Sequence, residues 1–151
     1  MTLNTVLVAV DGSDLGLTAA RAGLALLAPD TPVTVVTVVE TSDPTLVTGT
    51  GMAGGVMSAD ELDELEAARI SESEAAVAAA LSALGRAGAE SVVVQGDAGP
   101  AICDLARERN ASAVIMGSRG RGGIKRALLG SVSDYVVRNA HCPVIITRPD
   151  E

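Results

Sequence analysis

The sequence has no Phe, no Trp and a single Tyr, Tyr135. Readers of single-stranded nucleic acid hold bases on aromatic faces, and this chain has almost none to offer. Its core must be assembled from Val, Leu, Ile and Ala. Cysteine is scarce too: Cys103 and Cys142 are the only thiols, too few for the disulfide framework of a small secreted domain. With His141 as the only histidine, two separated cysteines give zinc no ligand set. No uncharged apolar run approaches the roughly 18 residues of a membrane span. Residues 1–10 run straight into an apolar strand pattern without a basic leader or a cleavage-like site. That reads as no signal peptide and a soluble, cytoplasmic protein.

Positive charge is the other shortage. Lys plus Arg number 11 against 19 Asp plus Glu, a formal net charge of −8. Such a surface repels nucleic acid and anionic membranes, so neither is an expected partner. The shortage is uneven: from 109 to 133 there is no acid, while Arg109, Arg119, Arg121, Lys125 and Arg126 form a cationic island. A local basic island on an acidic protein suits a small anion better than a polyanion.

What the chain does have is apolar mass and alternation. Hydrophobic residues make up 48% of 151, enough to exclude a disordered tail and to fill one domain spanning 1–151. Five short β-branched runs, at 5–10, 33–39, 91–95, 113–116 and 143–147, alternate with helical patterns at 14–28, 59–87, 100–109 and 131–140. The runs are near-continuously apolar, as strands covered on both faces are. Ser13 or Asp14 fits the cap of the first helix, and Pro29 follows its end. Ser58 with Glu61 spells a capping box, and Asp60 to Glu74 makes an acidic, solvated face. Leu62, Leu65, Val77, Leu81 and Leu84 form that helix's apolar stripe, with Gly88 past its last turn. Pro100 suits the first position of the third helix and Asn110 follows its end. Such a chain is an α/β fold with an open five-stranded parallel sheet, right-handed crossovers and helices on both faces. The stretch 41–57, rich in Thr and Gly, reads as a mobile loop.

The chemistry gathers after the fourth strand, in Met116-Gly117-Ser118-Arg119-Gly120 through Gly130-Ser131-Val132-Ser133. Gly117 and Gly120 let backbone approach a ligand without a Cβ in the way. Gly130-Ser131 opens the fourth helix, where free N–H groups and the helix dipole suit phosphate, and Ser131 and Ser133 add hydroxyls. Asp11 ends the first strand and faces the same crevice, suited to ribose hydroxyls or a phosphate-bound cation.

These residues resemble the universal stress protein family. Gly117-x2-Gly120-x9-Gly130-Ser131 matches its nucleotide-binding pattern G-x2-G-x9-G-[ST]. The flanks Val10-Asp11-Gly12-Ser13, Gly96-Asp97, Val114-Ile115-Met116-Gly117 and Cys142-Pro143-Val144-Ile145-Ile146 are similar to the family as well. The resemblance implies strand order 3-2-1-4-5, ATP as ligand with Mg2+, and a nucleotide-sensing role in the stress response with a protein partner downstream. It also implies a homodimer through Val144, Ile145 and Ile146. By position, Ala9 and Val38 would flank adenine, Asp11 would hold ribose or a metal, and Met116 and Gly117 would line the ribose side. Gly120, Gly130, Ser131 and Val132 would wrap the phosphates, with Ser133 joining them. Ala9 departs from relatives that carry Pro there.

Other motifs fail on inspection. Gly49-Thr50-Gly51-Met52-Ala53-Gly54 spells G-x-G-x-x-G, but it lies far beyond its strand and lacks the ribose-binding acid downstream. Gly117-x4-Gly122-Gly123 lacks the Lys-Ser/Thr of a phosphate-binding Walker loop. His141 and Cys142, adjacent at a strand start, point to opposite faces and make a poor nucleophile–base pair. An ATP-dependent enzyme, a slow ATPase or a nucleotidyl transferase, remains the alternative to a non-catalytic binding module.

Overall fold

β-Branched residues build the strands, and their two-residue period sorts them onto two faces. In the computed structural model, which describes residues 4–41, 58–118 and 129–148, the order is β1 (Val6–Ala9), α1 (Asp14–Leu24), β2 (Val33–Val39), α2 (Ala59–Ala83), β3 (Glu90–Gln95), α3 (Ala98–Glu108), β4 (Ala113–Gly117), α4 (Ser131–Asn139) and β5 (Val144–Thr147). Every pairing is parallel and the sheet order is β3-β2-β1-β4-β5. Val6, Val8, Val10, Val33, Val35 and Ile115 bury one face under α1 and α2. Leu7, Val36, Val114 and Met116 bury the other under α3 and α4. The helices thus change face between β3 and β4, and β1 becomes the point from which the chain winds both ways.

The caps explain the helix limits. Ser13 is the N-cap of α1, its Oγ accepting the Gly16 N–H at 3.0 Å. The capping box at Ser58 and Glu61 is formed in both directions. Four expectations need correction. α1 ends at Leu24, not 28, because Leu26 and Leu27 make tight i→i−3 bonds ahead of Pro29. α2 ends at Ala83, not 87: Gly85 adopts φ +69°, and the Arg86 N–H reaches the Leu81 carbonyl at 2.8 Å to close the end. Leu65 is exposed, since at 3.6 residues per turn it sits about 120° around α2 from buried Val77. α3 begins at Ala98, so Pro100 is third rather than first, still inside the turn whose N–H groups have no intrahelical partner.

Small residues let helices sit close. A Cβ on Gly23 of α1 would collide with Ile115 of β4, and one on Gly99 of α3 would come within 2.8 Å of the Tyr135 ring on α4. The lone aromatic therefore lies against a glycine, between α3 and α4. At the amino ends of the strands, Thr5 and Thr34 share a buried hydroxyl bond of 3.0 Å. Thr34 also reaches Glu90, which Arg109 clasps at 2.7 and 2.9 Å. Arg109 accordingly lies at the amino end of the strands, opposite Gly117 at the carboxyl end of β4. Among the described residues no helix is long and apolar enough to cross a membrane.

Candidate functional site

At the carboxyl ends of β1 and β4 the sheet opens where strand order reverses, the position at which open α/β sheets take ligands. Four of the residues expected around a nucleotide gather on its α3/α4 side. Ala9, Val38 and Val132 are partly buried against the cluster that holds Met116. Register explains it: Ala9 pairs with Val36, two residues before Val38, and Val8 pairs with Ile115, one residue before Met116. The result is an apolar shelf across β2, β1 and β4 with the first turn of α4 at one end.

The polar side of the crevice is built from loop ends. Gly130, the N-cap of α4, is extended at φ −74° and ψ 169° and offers no side chain. Its N–H donates to the Ser118 carbonyl at 2.7 Å, and the Ser133 hydroxyl donates to that carbonyl at 2.9 Å or to the Gly130 carbonyl at 3.0 Å. The end of β4 and the start of α4 are thereby tied together, which sets Gly117 near Gly130. Two expectations change. The Gly130 N–H is committed to Ser118, so the open amides at this helix end, among the described residues, belong to Ser131, Val132 and Ser133. Ser133 is 2% exposed and its hydroxyl is spent on the Ser118 and Gly130 carbonyls, so it holds the loop rather than extending toward a phosphate. Ser131 is exposed at the helix start. Gly120, with Arg119, Arg121, Lys125 and Arg126, lies outside the described residues, as do the G-x-G-x-x-G at 49–54 and nearly all of the 41–57 stretch.

Asp11 stands across the crevice, just past β1. Its Oδ1 accepts from the Ser13 N–H at 3.0 Å and from the Ser13 hydroxyl at 2.5 Å. The turn that allows this needs Gly12, at φ +82°. Asp11 Oδ2 is shut off from solvent and has no hydrogen-bond partner among the described residues. Gly16 closes the arrangement from behind: a Cβ there would stand 2.6 Å from Asp11 Oδ1. Sequence reasoning found Asp11 but missed Ser13 and Gly16 as part of the site. The spacing Asp11-Gly12-Ser13-x2-Gly16 carries that signal, hidden because Ser13 already reads as an ordinary helix cap.

Among the described residues no other chemistry-bearing cluster competes. Cys103 is buried and Cys142 half-buried, and burial pushes both thiols up from the ordinary 9.0. Thiols held protonated are poor nucleophiles and poor metal ligands. Among the described residues, no three His, Cys, Asp or Glu side chains are grouped to hold a metal ion by themselves.

Comparison with known proteins agrees with this layout. A sequence model described as the Universal stress protein family matches residues 2–148. Universal stress protein YxiE of Bacillus subtilis is 31% identical over 152 residues, covering 96% of this chain and 99% of YxiE. Universal stress protein MJ0531 of Methanocaldococcus jannaschii is 43% identical over a shorter 47-residue match, 31% of this chain and 28% of that one. Among solved structures, hypothetical protein MJ0577 superposes with a TM-score of 0.77 at 19% identity, covering 100% and 99% of the two chains. A universal stress protein from Archaeoglobus fulgidus, solved in complex with dAMP, superposes at 0.57 with 25% identity, over 98% and 100%.

Proposed function

The chain belongs to the universal stress protein family, and from that membership and the crevice we propose that it is an adenine-nucleotide-binding regulatory module. The carrying observation is that adjacent strands β1 and β4 lead at their carboxyl ends to Asp11, whose buried Oδ2 lacks a donor among the described residues, and to an α4 N-terminus with Gly130 in place of a capping side chain. One half suits an anion and the other suits a donor or a cation, which together describe a nucleotide's phosphates and its ribose or escorting metal. The apolar shelf of Ala9, Val38 and Met116 suits the base. The dAMP complex of the A. fulgidus relative supports the same ligand class. We read ATP as the physiological ligand, with Gly117, Gly120, Ser131 and Val132 around its phosphates. Mg2+ would arrive on those phosphates, because Asp11 is the only acid we assign to the crevice.

The module binds and reports rather than turns over, acts in the cytoplasm, and signals to a protein partner through its nucleotide state. Calorimetric titration with ATP and Mg2+ tests the binding half. Saturable one-site binding is the expected result, and no binding of ATP, ADP or AMP overturns the reading. Steady-state ATP hydrolysis well above spontaneous leakage would instead favour an enzyme.

A further inference from the structure

The fold treats the two oxygens of Asp11 differently: Oδ1 carries two donors and Oδ2 none among the described residues. We propose that Ser13 and Gly16 are positioning residues for the nucleotide site, Ser13 through its hydroxyl proton and Gly16 through its missing Cβ. Together they hold Asp11 with Oδ1 tied to α1, leaving Oδ2 as the carboxylate oxygen still in need of a donor. This inference rests on the nucleotide reading and deepens it.

The hydrogen-bond count makes the argument. A serine hydroxyl has one proton to give, and Ser13 gives it to Asp11 Oδ1, while its oxygen accepts the Gly16 N–H at 3.0 Å. The positive end of α1 is thus relayed through Ser13 to the carboxylate. With the Ser13 backbone N–H added at 3.0 Å, Oδ1 carries two donors. Oδ2 carries none among the described residues, though it is screened from solvent. A carboxylate oxygen without a proton is an acceptor only, so the partner it lacks is an N–H or O–H donor or a cation. Gly16 fixes the position sterically: a Cβ would lie 2.6 Å from Oδ1 and 3.2 Å from Ser13 Oγ, so any side chain there must push the carboxylate from its seat. Helix capping alone explains Ser13 accepting from Gly16. It explains neither the proton given to Asp11 nor the glycine beneath it.

Capping and positioning separate in a double-mutant cycle on Asp11, read by ATP–Mg2+ titration with thermal melts alongside. Ser13→Ala is expected to weaken binding about tenfold when Asp11 is present, the scale of one charge-assisted hydrogen bond. In the Asp11→Ala background it should change affinity less than about twofold, because its route to the ligand is gone. The lost cap lowers Tm in both backgrounds alike. Ser13→Thr, which keeps the hydroxyl, should restore most of the affinity. Gly16→Ala should weaken binding and lower Tm with Asp11 present. Beside Asp11→Ala it should leave Tm unchanged or raise it, alanine being the better helix former. Equal losses of affinity in both backgrounds, or unchanged affinity in Ser13→Ala and Gly16→Ala, overturn the proposal. So does an Asp11→Ala variant that binds ATP like the parent, an outcome that leaves the nucleotide reading standing. A parent chain that binds no adenine nucleotide overturns both, and is seen before any variant is made.

Discussion

Single residues at the crevice differ in what they do by backbone and by side chain, and substitution can separate the two. Gly130 is extended, a conformation that Val adopts without strain, and its N–H bond to Ser118 survives replacement. Gly130→Val therefore adds bulk only, and the expected result is a loss of ATP affinity of more than a hundredfold with an unchanged circular dichroism spectrum. Ser131→Ala removes one exposed hydroxyl, worth at most about 1–3 kcal/mol against a charged partner. Gly130→Val binding as well as Ser131→Ala would place the ligand elsewhere. Asp11 and the glycines were legible in the sequence because their chemistry survives without context. The direction of Ser133 was readable only in part: it shares a helix face with Val136, three residues on and fully buried, so its hydroxyl had to point inward.

The cysteines give the residue scale its pH dependence. Burial raises both thiols above 9.0 in the folded state, more protons are then held by the native chain than by the unfolded one, and stability falls as pH rises through that range. The thiols' contribution to stability is whole below about pH 9 and is lost progressively above it, a limb that a Cys103→Ala/Cys142→Ala chain should show reduced in urea melts at pH 8 and pH 10. Nucleotide affinity at pH 7.5 should stay within a few-fold. A large loss of affinity without unfolding would give the thiols a role that their burial argues against.

At the scale of elements, strand and helix cores were legible and their ends were not. The β-branched runs and the Ser58–Glu61 box fixed where elements lie, because period and capping are local. Ends depend on which of several candidate residues takes the special backbone conformation, and α2 shows the choice: both Gly85 and Gly88 could have closed it. Gly85 does so with φ +69°, whereas Gly88 has an ordinary φ and open space around its missing Cβ. Gly85→Ala should cost about 1–2 kcal/mol, the penalty for a left-handed non-glycine residue. Gly88→Ala should be neutral or slightly stabilising. Chemical denaturation of the two variants checks this, and the reverse ranking would mean that the helix ends later than Ala83.

For the whole molecule, alternation of strands and helices dictated parallel strands but not their order, since several orders satisfy right-handed crossovers. The order came from the family resemblance, and it leaves β5 at an edge with β4 as its only neighbour among the described residues. Register shows which way that edge faces. Val114 and Ser118 donate to the Pro143 and Thr147 carbonyls, so residues 143, 145 and 147 turn their backbone groups to β4. The Ile146 amide, in the opposite phase, points out of the sheet. A row of open donors and acceptors flanked by Val144, Ile145 and Ile146 is a pairing edge that soluble proteins rarely leave bare. Pairing with a second copy would satisfy it. Ile146→Pro removes an outward donor and none of the β4 ladder, so it should convert a dimer to a monomer in sedimentation or light scattering. Both copies carry −8, so the unsubstituted dimer should tighten as salt screens their repulsion. A parent chain that remains at monomer mass at micromolar concentration in high salt would leave the β5 edge to some other partner.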